Sequence, residues 1–242
     1  MINEKLNLKA PFKTSEHIVA FLDMLGATSR MNKDQDVTLN EIHDLYSSTI
    51  KIAKENCLLG DLEGIKIKIF SDNIIIAKEL PSNQSEREVG ISDVLWWCTL
   101  FQNRAISNDF GWLVRGGITI GDFYIDDLMV WGKALLTTVD LEKKMAKDPK
   151  IVIDTTILPI IRSYKKTTRL VVQDDDGKYI LNFMDMWPLV GESAKKGFEI
   201  IKSKALPLYD DDLHKKLRWH MNYVNKNLDI LEPDSGQRLC MW

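Results

Sequence analysis

Cysteine is scarce in this chain. There are three in 242 residues, Cys57, Cys98 and Cys240. They are far apart, odd in number and form no C-x-x-C pair, which argues against a disulfide scaffold and a thiolate zinc site. The four histidines, His17, His43, His214 and His220, show no metal-ligand spacing. Long apolar runs are missing too. Nothing approaches the ~18 residues of a membrane span. The opening MINEKLNLKAPFKTSEH is polar and has no apolar core, so no secretory signal is expected. Neither sign of charge dominates, with 32 basic and 35 acidic side chains and a net charge of −3. A strong grip on nucleic acid or on an anionic membrane is therefore not expected. There is no Gly-rich Walker loop, no dinucleotide fingerprint and no G-x-S-x-G. These absences leave the expectation of a soluble, cytoplasmic protein.

What is present is ordinary globular material, 45% hydrophobic and 28% charged. His17 to Asp23 is a short apolar run ending on an acid, the pattern of a buried strand. Thr38-Leu39-Asn40-Glu41 has capping-box spacing and predicts a helix over 39–57. Ile65 to Phe70 alternates strictly, and Ser71-Asp72-Asn73 separates it from Ile74-Ile75-Ile76-Ala77, which predicts a hairpin. Pro81 to Arg87 reads as a loop, and a helix is expected over 88–108. Trp112 to Ile120 reads as a strand, in which Gly116-Gly117 marks a bulge or a close backbone approach. A helix over 133–147, a strand at 151–153 and a helix over 155–164, with Pro159 inside it, follow. A hairpin turns on Asp174-Asp175-Asp176-Gly177, and a last helix spans 210–231. This order predicts an α+β sandwich around one mostly antiparallel sheet flanked by helices. Residues 1–150 would form the main domain, and 151–242 a C-terminal αβ extension packed on it.

Two acids stand out. Asp23 ends a hydrophobic strand, and Asp72 sits at the tip of an isoleucine hairpin. They are 49 positions apart (72 − 23), but adjacent strands of one sheet would bring them together. Two carboxylates at one sheet end suit a hard divalent cation, with substrate phosphates completing its shell. The turn after Asp23, with Gly26, can offer backbone N–H groups to a triphosphate. The alternative is local: Asp23 as a helix cap and Asp72 as an Asx turn.

Four segments carry a resemblance. VAFLDMLGATSRM resembles the first strand and turn of class III nucleotide cyclases, and FSDNIII resembles their metal-binding hairpin. Arg115-Gly116-Gly117-Ile118-Thr119-Ile120-Gly121 is similar to their R-x-G-I-x-x-G strand. Val130-Trp131-Gly132, followed by Leu141-Glu142, is similar to their W-G-x-x-V-N-x-A-x-R-L-E segment. The four cover roughly residues 17–145 in the family's order. There are departures. The usual Asn falls on Leu136, the usual transition-state Arg on Asp140, and the adenine-reading acid on Met129. The base-reading Lys has a counterpart in Lys68. With these gaps the chain looks closest to the bacterial pyrimidine nucleotide cyclases of the Pycsar anti-phage systems.

The resemblance implies a class III cyclase-like sandwich. It implies cyclisation of a nucleoside triphosphate to a 3′,5′-cyclic monophosphate and diphosphate. UTP is the first candidate substrate and CTP the second. Asp23 and Asp72 would bind two Mn²⁺ or Mg²⁺ ions, with the Met24 carbonyl as a further ligand. The ribose 3′-hydroxyl would be activated at one ion and the β- and γ-phosphates held at the other. Leu25, Gly26 and Ala27 would contact substrate from the turn, and Lys68 would reach the base or a phosphate. A head-to-tail homodimer with interfacial sites is implied, and a product that acts in anti-phage defence.

Several residues keep two readings. Arg115 would bind phosphates, which its guanidinium matches in a two-pronged way, or would form a structural ion pair. Lys68 would contact substrate or lie exposed on the sheet. Phe21 and Phe70 would line a ribose or base pocket or pack in the core. A cyclic dinucleotide synthase and a non-catalytic nucleotide-binding dimerisation domain are the competing functions. The missing helix Asn and Arg favour the latter, and the two retained acids oppose it.

Overall fold

The computed structural model describes residues 12–55, 64–107, 111–186, 195–203 and 211–231. The strands are β1 (Ser15–Leu25), β2 (Ile65–Phe70), β3 (Asn73–Glu79), β4 (Leu113–Ile125), β5 (Val130–Trp131), β6 (Ile151–Ile153), β7 (Val171–Gln173) and β8 (Tyr179–Leu181). They form one sheet in the order β2-β3-β1-β4-β6-β8-β7, with β5 hydrogen-bonded to β4. Every pairing is antiparallel except β4 with β6. That parallel pair needs a crossover, and helix α4 (Lys133–Met145) provides it. The expected α+β sandwich with a mostly antiparallel sheet is the architecture found. The strands after residue 150 continue the same sheet rather than starting another.

Alternation along β1 sorts its side chains to two faces. Ile18, Ala20, Leu22 and Met24 belong to a core with Leu45, Val94, Trp97 and Phe101. Those partners come from α2 (Gln35–Glu55) and α3 (Gln84–Ser107). Val19 and Phe21 face the other way, with Ala134, Leu135 and Val139 of α4. Farther along that second face, Leu25, Val152 and Ile180 pack with Leu217, Val224 and Leu228. The last three lie on a C-terminal helix, Asp211–Leu231.

Some boundaries differ from expectation, each for a local reason. The helix expected from 39 begins at Gln35. Asp34 caps it by accepting from Val37 N at 3.0 Å, while Thr38 lies inside and returns its hydroxyl to Asp34 O at 2.7 Å. A short helix α1, Ala27–Lys33, precedes it. The helix expected from 88 begins at Gln84, where Asn83 Oδ1 accepts from Ser85 N at 2.9 Å. The segment 155–164 is broken into a 3₁₀ turn at Thr155–Ile157 and a short helix, Leu158–Ser163, that starts with Pro159 in its first turn.

Gly116-Gly117 makes no bulge, since the β1–β4 register runs unbroken from Ser15↔Phe123 to Leu25↔Leu113. It is a close approach. A Cβ at 116 would lie 2.4 Å from Phe21 O, and one at 117 would lie 2.6 Å from Thr138 O and from Leu141 Cβ. Glycine here is what lets α4 lie against β4.

Candidate active site

The register of β1 with its two neighbours builds the site. Asp23 stands opposite Asn73 of β3 on one side and Arg115 of β4 on the other. Asp72 precedes Asn73 in the β2–β3 turn, and Met24 N donates to Asp72 O at 3.0 Å. The two acids named from sequence thus sit side by side on neighbouring strand ends. In that turn Ser71 holds φ 56°, a left-handed conformation that costs a non-glycine residue energy. Such strain concentrates where a fold must aim a particular side chain.

Each carboxyl group has one neighbour. Arg115 Nε donates to Asp23 Oδ2 at 2.8 Å, and Asn73 Nδ2 donates to Asp72 Oδ1 at 2.9 Å. The remaining oxygen of each takes no hydrogen bond among the described residues. Arg115 also reaches α4, with Nη2 2.7 Å from Glu142 Oε1. That contact is off the N–H direction, so Glu142 Oε1 has no aligned hydrogen bond although its side chain is 3% exposed. Burial pushes the Glu142 carboxyl above its ordinary range; the Arg115 charge pulls it down and the Asp23 charge pushes it up.

The other expected residues fall into three groups. Lys68 and Phe70 of β2 lie in the rows of Ile75 and Asn73, and so on the face that carries Phe21 and Asp23. Phe21 is buried, while Phe70 is 47% exposed with its ring centroid 6.4 Å away. Lys68 is half-exposed, whereas its neighbour Lys66 gives its ammonium to Ile125 O at 2.9 Å. In the turn, Gly26 is exposed at φ 83° and precedes α1. Leu25, the last residue of β1, and Ala27, the first of α1, flank it with buried side chains. Leu136 and Asp140, on α4, are not in the cluster. Leu136 is exposed, and Asp140 is exposed and paired with Lys144 at 2.7 Å. Sequence reading passed over Asn73 and treated Glu142 as part of a motif. The signal for Glu142 was an acid one helical turn from the glycine contact at Thr138, four residues earlier, on the buried stripe of α4.

No group of three or more His, Cys, Asp or Glu side chains is placed to hold a metal ion among the described residues. The donor set here is two carboxyl groups, oxygen only, each with an oxygen without a donor. That fits a hard divalent ion whose remaining ligands come from a substrate or water, and does not fit a closed structural site. No helix among the described residues is long and apolar enough to cross a membrane.

No family model matches the chain, and no curated protein matches it. Solved structures do. The chain is similar to the adenylyl cyclase CyaB from P. aeruginosa at 16% identity and a TM-score of 0.48, over 70% of this chain and 95% of that one. It is similar to a dimeric guanylyl cyclase domain of the RhoGC fusion protein from the aquatic fungus Blastocladiella emersonii at 17% identity and a TM-score of 0.48, over 71% and 96%. A monomeric form of that domain gives 18% identity and a TM-score of 0.45, over 70% and 98%. Likeness at this level concerns the course of the backbone and not what the chain binds.

Proposed function

We propose that the chain is a nucleotide cyclase that converts UTP to 3′,5′-cyclic UMP and diphosphate, with Asp23 and Asp72 holding two Mn²⁺ or Mg²⁺ ions. The observation that carries the reading is the meeting of those two acids on neighbouring strand ends, joined by the Met24 N–Asp72 O hydrogen bond. When bound, divalent ions at such a site lower the pKa of an attacking hydroxyl and neutralise phosphate charge. The chain's own work is positioning. Asp23, Asp72 and the Met24 carbonyl would hold the ions, and the backbone N–H groups of Leu25, Gly26 and Ala27 would cradle the triphosphate for in-line attack. Phe21 and Phe70 flank the ribose. Lys68 offers an ammonium donor, and Met129 replaces an acceptor acid. A base with carbonyl acceptors and no amino group matches that pair, which favours uracil over cytosine.

A second copy of the chain completes the site in this reading. Leu128, Met129, Trp131 and Leu136 are exposed within nine residues of sequence, and Phe70 is exposed at the hairpin. Apolar side chains gathered in this way are the usual mark of a covered surface. By the resemblance, the cyclic product would serve as a messenger in anti-phage defence.

The test is incubation with each of the four labelled ribonucleoside triphosphates and Mn²⁺. Cyclic UMP as the main product supports the reading, and cyclic CMP moves it to the cytidylate alternative. Binding of triphosphates with no product favours a non-catalytic nucleotide-binding domain, a reading supported by the exposed Leu136 and Asp140 in place of the helix Asn and Arg.

A further inference from the structure

Arg115 divides its guanidinium between two carboxyl groups. A guanidinium facing one carboxylate normally closes a two-bond fork on it. Here only Nε bonds Asp23, through one oxygen at 2.8 Å, and Nη2 is drawn 2.7 Å from Glu142. Glu142 has no other ion-pair partner among the described residues and is 3% exposed. A buried acid with a single cation beside it is costly to keep, and the fold goes to some length to bring it there. The bare backbone at Gly117 admits α4 to within a distance that a Cβ would forbid.

We propose that Glu142 is a positioning residue: it holds the Arg115 guanidinium toward α4, stops the fork closing on Asp23, and so keeps an Asp23 oxygen open to a divalent ion. This rests on the reading of Asp23 as an ion ligand. A guanidinium and a divalent ion compete for the same carboxylate lone pairs. Loosening the first strengthens the second, with no change in the ligands themselves.

The experiment is Mn²⁺ binding to the full chain without nucleotide, read from the free-ion electron paramagnetic resonance signal, with a thermal melt on every variant. E142Q is expected to weaken Mn²⁺ binding ~10-fold, because the fork then closes on Asp23. E142D keeps the charge but loses the reach, so it is expected to weaken binding nearly as much. R115Q is expected to tighten binding, and adding E142Q to R115Q is expected to change it by less than about twofold. Wild-type affinity in E142D, or an unchanged affinity in E142Q, overturns the proposal. If E142Q fails to fold, E142D and R115Q decide the matter alone. D23N separates the two levels. Mn²⁺ binding that survives D23N overturns the site reading itself. Binding that depends on Asp23 but ignores residue 142 overturns only the role of Glu142.

Discussion

The molecule holds two clusters of acids around a cation, and they are built to opposite ends. In one, Lys150 is 1% exposed and its ammonium lies 2.6 Å from Asp174, 2.7 Å from Asp176 and 3.7 Å from Asp148. Trp219 lies 5.3 Å from the same ammonium. Burial alone would depress the Lys150 pKa, but the hydrogen bonds to Asp174 and Asp176 outweigh it and hold it above the ordinary lysine value. Burial also works to raise Asp176, yet the hydrogen bonds from Lys150 and Lys178 bring it down to about 2. Each charge there has an answer. In the other cluster Asp23 and Glu142 share one guanidinium, and the neighbouring Asp72 carboxyl has only the Asn73 amide. The first cluster ties the β7–β8 turn to the strand start beside it. The second leaves surplus negative charge at a sheet end, which is what a site for cations requires.

Breaking each cluster should therefore give different signatures. Asp72→Ala is expected to cut cyclase activity roughly a hundred- to a thousandfold, as when an ion supplying several kcal/mol is lost, while chemical denaturation shows little change in stability. A large loss of stability with activity per folded molecule retained would make Asp72 structural. Lys150→Met reverses the pattern. Asp174 is left buried without its cation, so unfolding free energy is expected to drop by about 3–5 kcal/mol, measured by urea titration. Stability at the wild-type level would mean the cluster is held by something else.

Gly117→Ala is expected to cost about 1–3 kcal/mol by forcing α4 off β4, and to lower activity as well because Glu142 moves with the helix. A variant that loses stability but not activity would uncouple the helix from the site. Acid should act through His220, which is 2% exposed and stacked 5.2 Å from Phe183. Burial lowers its pKa from 6.5 to about 3. The unfolded chain takes up a proton near pH 6.5 and the folded chain does not, so the contribution is intact above pH 6.5 and is lost as pH falls toward 3. Each pH unit in that window removes up to about 1.4 kcal/mol. The melting temperature of His220→Phe should fall less steeply between pH 6.5 and 4 than that of the native chain. Smallest of all, Ser71→Gly should relieve the left-handed turn and gain less than about 1 kcal/mol.

Much of this was legible in the residues, and the reason is periodicity. Strict alternation in Ile65–Phe70 fixes both the hairpin and the face that Lys68 and Phe70 share. The apolar run of β1 followed by a polar Asp23 marks where the core stops. Helix starts were misread where a capping signal was ambiguous. Thr38 fits a capping box, yet Asp34 does the capping: its carboxylate accepts from Val37 N, and the helix already runs through Thr38, whose hydroxyl turns back to Asp34 O. The split guanidinium was not legible. Arg115 and Glu142 are 27 positions apart (142 − 115), and only the packing of a helix on a glycine pair brings them into contact. A sequence signals which residues are charged, but not which of two partners a charge will take.

In the proposed function, Asp23 and Asp72 together grip divalent ions beneath a triphosphate. Crystals grown with MnCl₂ and a non-cyclisable UTP analogue, measured at the manganese absorption edge, test it most directly. Anomalous peaks are expected within coordination distance of both carboxyl groups and of the analogue's phosphates. Manganese bound elsewhere, or an ordered analogue with no manganese at these two acids, would contradict it.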